Sequence, residues 1–257
     1  MKKFLALCLV TLMVLGLSAC GSKQGSSDKK TLSMATSAEF PPYEFVDDSG
    51  NYAGIDVEIA GKIAEKLGVE LKVENIEFGG IIAAVSSGKY DIGMSGFTIT
   101  EERKQNVNFS VPYATAVQVV IVKEDSPIKT VDDLYATGAS YKIGTQLSTT
   151  GAIYVEGDIT DKKMSCTMQE YKAGADAVAA LVSGKIDCVV IDNEPAKKFV
   201  AANPGLKILD TEYATEQYAI AISKNNTELL EKVNKALEEL IADGTVKAIV
   251  DIHIAAN

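Results

Sequence analysis

Arginine is almost missing from this chain. Of 25 Lys+Arg in 257 residues, Arg103 is the one arginine, in the run Gly96-Phe97-Thr98-Ile99-Thr100-Glu101-Glu102-Arg103-Lys104. Histidine is as scarce: His253, near the end of the chain, stands alone, and no spacing of Cys, His, Asp or Glu matches a metal site. A solvated or packed histidine is expected there, with no metal and no cofactor. Positive charge is in the minority, since 35 Asp+Glu leave a net charge of −10. That balance argues against nucleic acid and against electrostatic adhesion to anionic lipid. Tryptophan is absent, and the closing Val250-Asp251-Ile252-His253-Ile254 offers no aromatic either.

What is present begins with Lys2 and Lys3 ahead of an apolar stretch, Phe4 to Leu17. It is too short for a membrane span and has the build of a signal segment. It ends Leu17-Ser18-Ala19-Cys20-Gly21, which resembles a bacterial lipobox. Residues 1–19 are expected to be removed as a lipoprotein signal peptide, leaving acylated Cys20 as the new N-terminus. Residues 20–30, rich in Ser, Gly and Lys, are expected to be a flexible tether. Loss of residues 1–19 takes two lysines and no acids, so the net charge moves from −10 to −12. Attachment to the outer face of a membrane, at the cell surface or in a periplasm, would then rest on the lipid at Cys20.

Two stretches look alike. Ala83-Ala84-Val85-Ser86-Ser87-Gly88-Lys89-Tyr90-Asp91-Ile92-Gly93 parallels Ala179-Ala180-Leu181-Val182-Ser183-Gly184-Lys185-Ile186-Asp187-Cys188-Val189. Each ends an apolar-faced helix at a glycine and enters a strand through an aspartate. The pattern predicts strand Leu32 to Thr36, helix Asp56 to Leu67, strand Leu71 to Asn75, helix Gly80 to Ser87 and strand Asp91 to Ser95. It then repeats as strand Lys142 to Thr145, a helix from Thr150, strand Ser165 to Gln169, helix Ala173 to Ser183 and strand Asp187 to Ile191. Alternating strands and helices imply parallel sheets with right-handed crossovers. In a 2-1-3 strand order the strand Lys142 to Thr145 separates Cys166 from Cys188, so these two are expected to be unbonded.

Alternating apolar segments at Val117 to Lys123 and Tyr218 to Ser223 are expected to pair as a hinge ribbon. The α/β reading is therefore two βαβ-type domains with a cleft between them, residues 31–116 plus 218–257 and residues 117–217. The helix Thr227 to Asp243, with a stripe of Leu229, Val233, Leu237, Leu240 and Ile241, would return to the first domain. Ligands in open parallel sheets sit beyond the carboxyl ends of the strands. Those rims are Ser37 to Phe40 and Ser95 to Thr98 in one domain, and Gln146 to Thr150 and Asp192 in the other. Arg103 lies one short turn beyond Thr98. Alone, it is as consistent with a surface charge as with a two-pronged carboxylate site.

The runs Ala35-Thr36-Ser37-Ala38-Glu39-Phe40-Pro41-Pro42-Tyr43-Glu44-Phe45, Gly54-Ile55-Asp56-Val57-Glu58, Ile99-Thr100-Glu101-Glu102-Arg103 and Asp192-Asn193-Glu194-Pro195 resemble the polar amino-acid solute-binding proteins of ABC importers, family 3. Members bind glutamine, histidine or lysine, arginine and ornithine, and the resemblance extends over nearly the whole chain after Lys30. It implies a periplasmic-binding-protein-like (type II) fold closing on a free L-amino acid, a monomer that delivers its ligand to ABC permease subunits. It also implies that Arg103 holds the ligand α-carboxylate, with Thr98, Thr149 and Thr150 around it. Asp192 would accept from the α-ammonium, helped by a carbonyl of Ser95 or Gly96. Phe40 and Phe78 would sandwich the ligand side chain, although core packing explains such aromatics equally well. Asp192 could equally cap a helix before Pro195.

Where many members have an aspartate that reads the side chain, this chain has Ser37, with Glu39 two residues on. Where the glutamine-binding protein has a lysine, it has Gln146. Acidic ligands are thus disfavoured, and neutral polar or basic ones remain. Secreted cyclohexadienyl- or arogenate-dehydratase-like enzymes resemble the same family, with Glu39 or Glu77 as a conceivable acid. An amino-acid receptor domain is a third class. The pairing of Arg103 with Asp192 suits the two charged ends of an amino acid and favours binding without catalysis.

Overall fold

The computed structural model of the protein describes residues 31–255. The expected signal segment, Cys20 and the tether to Lys30 lie outside them. The chain opens with β1 (Thr31–Thr36), followed by a small antiparallel sheet of β2 (Glu39–Phe40), β3 (Glu44–Val46) and β4 (Tyr52–Ala53). Helix α1 (Ile55–Leu67) buries Ile55, Ile59, Ala60, Ile63 and Ala64, a stripe at helical spacing, and stops at Gly68 in the left-handed conformation. Its first amides are satisfied by backbone: Ile55 donates to the carbonyl of Pro42 and Asp56 to that of Tyr43, at 3.0 and 2.9 Å. Then come β5 (Glu70–Asn75), α2 (Phe78–Ser86), β6 (Ile92–Gly93), α3 (Glu101–Lys104) and β7 (Val107–Phe109). β1 lies between β5 and β6 and runs parallel to both.

The close approach that orients α1 depends on Gly54. Its φ is 116°, and a Cβ there would sit 2.3 Å from the carbonyl oxygen of Tyr43. Backbone cannot swing aside as a side-chain tip can, and this conformation itself costs a non-glycine residue about 1–3 kcal/mol. Gly54→Ala is expected to lower the thermal midpoint by about 5 °C or more, at roughly 2–4 °C per kcal/mol for a chain of this size. Differential scanning calorimetry checks it, and an unchanged midpoint would show that the loop relaxes freely.

β8 (Ala114–Lys123) carries the chain into the second sheet, followed by β9 (Lys142–Gln146), α4 (Thr150–Thr160), β10 (Thr167–Tyr171), α5 (Gly174–Val182), β11 (Cys188–Asp192), α6 (Asn193–Ala202) and β12 (Leu206–Ile208). β9 is flanked by β10 and β11, parallel to both, so the order of the first sheet recurs. Cys166 just precedes β10 and Cys188 opens β11. With β9 between them, both are buried free thiols.

β13 (Ala214–Tyr218) then pairs antiparallel with the first half of β8, from Ala214↔Gln118 to Tyr218↔Ala114. β14 (Ala221–Ser223) enters the first sheet between β6 and β7, and α7 (Thr227–Ala242) and α8 (Thr245–Ala255) pack on α1. The ribbon joining the two sheets is therefore 114–118 with 214–218, displaced from the pairing expected between Val117–Lys123 and Tyr218–Ser223. Val119 to Val122 are fully engaged with β11, and Ala221 to Ser223 with β6 and β7. Ile241, expected on the buried stripe of α7, is 42% exposed, because it lies one helical step round from buried Leu240. His253 meets Glu58 at 2.7 Å and ties α8 to α1.

Candidate ligand-binding cleft

The carboxyl ends of the parallel strands in both sheets face one cavity. From the first sheet's side come Ser37, Glu39, Phe40, Ser95, Gly96 and Thr98, with Phe78 from the first turn of α2 and Arg103 from α3. From the second come Gln146 at the end of β9, Thr149 and Thr150 at the start of α4, and Asp192 at the end of β11. The structure thus brings together every site residue expected from the sequence, and it adds Glu44. Glu77, by contrast, is not part of the cavity wall.

Arg103 is 7% exposed, so it is no surface charge. Thr100 caps the short helix that carries it, its hydroxyl accepting from the Arg103 amide. The guanidinium lies over the rings of Phe97 and Phe78, at 5.1 and 5.6 Å. Nη1 donates to the carbonyl of Thr98 at 2.9 Å, and Nη2 donates across the cleft to the carbonyl of Ser148 at 3.1 Å. Ser148 adopts φ 64°, a left-handed conformation that few non-glycine residues take. Burial pulls the Arg103 pKa down, opposed first by the charge of Glu216 and then by that of Asp192. A guanidinium stays protonated under such a pull, so the cleft keeps a fixed cation with a planar face.

Asp192 stands at the N-cap position of α6 but makes no side-chain cap. Its carboxyl instead accepts from the hydroxyl of Tyr218 and lines the cavity. Burial, then repulsion by Glu216, push its pKa up to about 7. Glu44 is fully buried at the cavity wall; Oε1 accepts from the Ser95 hydroxyl at 2.6 Å, and its carboxyl lies in hydrogen-bond contact with that of Asp56. Burial and the nearby Asp56 raise its pKa well above the usual carboxylate range. Asp56 behind it accepts from the Gly96 amide at 2.9 Å and the Tyr113 hydroxyl at 2.7 Å. Burial brings it to about 6.

A second buried acid was not legible in advance. Glu216 of β13 accepts through Oε2 from the Thr98 hydroxyl and from the side-chain amide of Gln118, both at 3.0 Å. Thr98 and Thr150 face each other at 3.4 Å across the seam between the two halves. Glu216 therefore ties the ribbon to Thr98 of one rim, while Gln118 beside it donates to Thr150 of the other at 3.4 Å. The signal for it was weak: one acid in an alternating strand shows its face only once the strand's partner is known.

Residues 32–256 match the family described as bacterial extracellular solute-binding proteins, family 3. The chain belongs to this family. It is 34% identical over 253 residues to the arginine-binding extracellular protein ArtP of Bacillus subtilis (strain 168), spanning 96% of each chain. It superposes on an ancestral arginine-binding protein solved with arginine (TM-score 0.80) and with glutamine (0.79), at 41% identity, over 87% of this chain and 97% of that one. An ancestral amino acid-binding protein described as a precursor of cyclohexadienyl dehydratase also matches, with TM-score 0.77 and 33% identity over 87% and 95% of the two chains. Family membership and these superpositions identify the two-sheet architecture as the type II periplasmic-binding-protein fold and place the work of the cleft outside the cytoplasm.

Proposed function

We propose that this family member captures a basic L-amino acid in the cleft and delivers it to the membrane subunits of an ABC importer. One observation carries the choice of ligand. The charged side chains on the cavity wall are Glu39, Glu44, Asp192 and Arg103. An amino acid placing its α-carboxylate on Arg103 and its α-ammonium on Asp192 uses one of each sign. Two acids, Glu39 and Glu44, then remain for its side chain, with no cation beside them on the wall. A guanidinium or ammonium can pair with such an acid, whereas a ligand carboxylate would find no cation there. The arginine-binding relatives agree with this choice. A neutral polar ligand such as glutamine is the second reading, because a protonated Glu44 can donate to a side-chain carbonyl.

Closure is proposed to move residues 31–116 with 218–257 against residues 117–217, and the contacts of Arg103 with Ser148 and of Thr98 with Thr150 support a closed arrangement. The pairing of Arg103 with Asp192, which suits both charged ends of a free amino acid, favours binding without turnover. A thermal-shift panel of the twenty amino acids with ornithine, citrulline and cystine tests the proposal through mass action. Arginine, lysine, ornithine or histidine should raise the melting temperature most, and aspartate and glutamate should leave it unchanged. Stabilisation by an acidic amino acid would overturn the assignment.

The lipid anchor is proposed from the Leu17-Ser18-Ala19-Cys20 motif. Cys20→Ala should release the protein from the membrane fraction of its host into the medium or periplasm. Full retention of the variant, beside unlipidated wild type by mass spectrometry, would defeat that proposal.

A further inference from the structure

Among the described residues five charged side chains are buried: Glu44, Asp192 and Arg103 on the cavity wall, and Asp56 and Glu216 hydrogen-bonded to the wall residues Gly96 and Thr98. Four carboxyl groups thus share one guanidinium, and no lysine lines the cavity. The surroundings of each group leave the imbalance in place. Glu44 meets Ser95 and Asp56; Asp56 meets the Gly96 amide and Tyr113. Asp192 faces Tyr218 and Glu216 from β13, Gln118 from β8 and Arg103 from α3. Tyr43, ahead of β3, is close enough to feel the charges of Asp192, Asp56, Glu194 and Glu44. Glu194, next along α6, is paired with Lys197 at 2.6 Å. Tyr154 of α4 feels the charge of Glu216. In a dry interior four carboxylates beside one guanidinium cannot all stay ionised. No group of three or more His, Cys, Asp or Glu among the described residues is placed to hold a metal ion.

We propose that the cleft is a proton site as well as an amino-acid site: the buried carboxyl cluster holds protons when the cleft is empty, and the cationic groups of a bound amino acid displace them. The step breaks an O–H bond of the carboxyl group, passes its proton to solvent buffer, and leaves a carboxylate paired with the ligand's ammonium or guanidinium. This rests on the cleft being the amino-acid site. Asp192 at about 7 and Asp56 at about 6, with Glu44 higher than usual, put the exchange in the range of natural media. A ligand cation favours the ionised acids, so affinity rises with pH toward neutrality and is lost as pH falls through these values. The protein would load at neutral pH and empty in acid. Glu216 is then a positioning residue: its charge presses on Asp192 from behind and sets where that acid titrates.

Isothermal titration of L-arginine and of L-glutamine at pH 6.8, in phosphate and in imidazole, tests this. The difference in apparent enthalpy between buffers should report roughly half a proton or more released per arginine bound. The Kd for arginine should rise about tenfold or more between pH 7.5 and pH 5.5. Glu216→Gln should move the midpoint of that Kd profile to lower pH; a merely structural role would change Kd equally at every pH. Asp192→Asn provides a second variant, in which proton release should shrink. Equal enthalpies in both buffers, with a Kd independent of pH from 5.5 to 8 for both amino acids, would overturn the inference. Proton release on glutamine binding, with no preference for arginine, would instead overturn the basic-ligand reading and leave this one standing. Strong arginine preference without proton release would do the reverse.

Discussion

Arg103→Ala should weaken binding of the amino acid at least about 30-fold. Removing one partner of a buried, hydrogen-bonded charge pair costs about 2–5 kcal/mol, and about 1.4 kcal/mol is a factor of ten. The geometry makes this side chain hard to replace. Its guanidinium is seated over Phe97 and Phe78 and braced by the carbonyls of Thr98 and Ser148. That seat fixes a planar donor fork toward the cavity and spans the seam between the two halves. Arg103→Lys keeps the charge but puts a point ammonium in place of the fork, so its affinity should fall between wild type and Arg103→Ala. Calorimetric titration of the three proteins decides the matter. Equal affinity in wild type and Arg103→Ala, with the same ligand-free melting temperature, would reduce this arginine to packing and remove the carboxylate assignment.

Glu44→Gln should discriminate between ligands. Glutamine is nearly isosteric with protonated Glu44, and burial favours the protonated form in the empty cleft. The variant's ligand-free stability at neutral pH should therefore stay close to wild type. Arginine, however, would meet a neutral amide where a carboxylate could form. By the same charge-pair estimate its affinity should drop about 30-fold or more. L-glutamine, which needs no ion pair at that point, should lose only a few-fold. The ratio of the two affinities, measured by titration of both variants side by side, is the informative number. An arginine-to-glutamine ratio unchanged by Glu44→Gln would show that the side chain is read elsewhere, with Glu39 the next acid on the cavity wall.

The parts of the fold that could be read in advance are those with strong local periods. α1 starts one residue before its expected first residue because its stripe and its glycine stop are both explicit. The strands around Cys166 and Cys188 were placed within two residues, and the order of β10, β9 and β11 is the 2-1-3 order usual for this doubly wound architecture. α6 was anticipated only as the alternative in which Asp192 caps a helix before Pro195; the helix is there, yet the Asp192 side chain does not cap it. α8 was hidden in a short tail whose Ile and Val residues suit a strand as well as a helix. The displaced ribbon had another cause. Residues 117–123 alternate as a hinge strand would, yet the same alternation serves a strand buried at the centre of a sheet, and only the partner β11 decides between them.

For the cleft, the sequence by itself determined which residues reach the rims: glycine stops and strand ends are local features, and they place Ser37, Ser95, Thr98, Gln146 and Asp192 at the carboxyl ends of strands. A single arginine among lysines also pointed to Arg103 before any contact was known. What only the tertiary structure decided is the balance of charge inside. Glu44 lies in a run quoted for its resemblance, and Glu216 in an unremarked strand, yet both are buried beside Asp56 and Asp192 with Arg103 as the one enclosed cation. Burial of a charge is set by segments far apart in the chain meeting around it, Glu44 against Ser95 and Glu216 against Thr98. No local pattern encodes that meeting, and burial at it is what raises Glu44, Asp56 and Asp192.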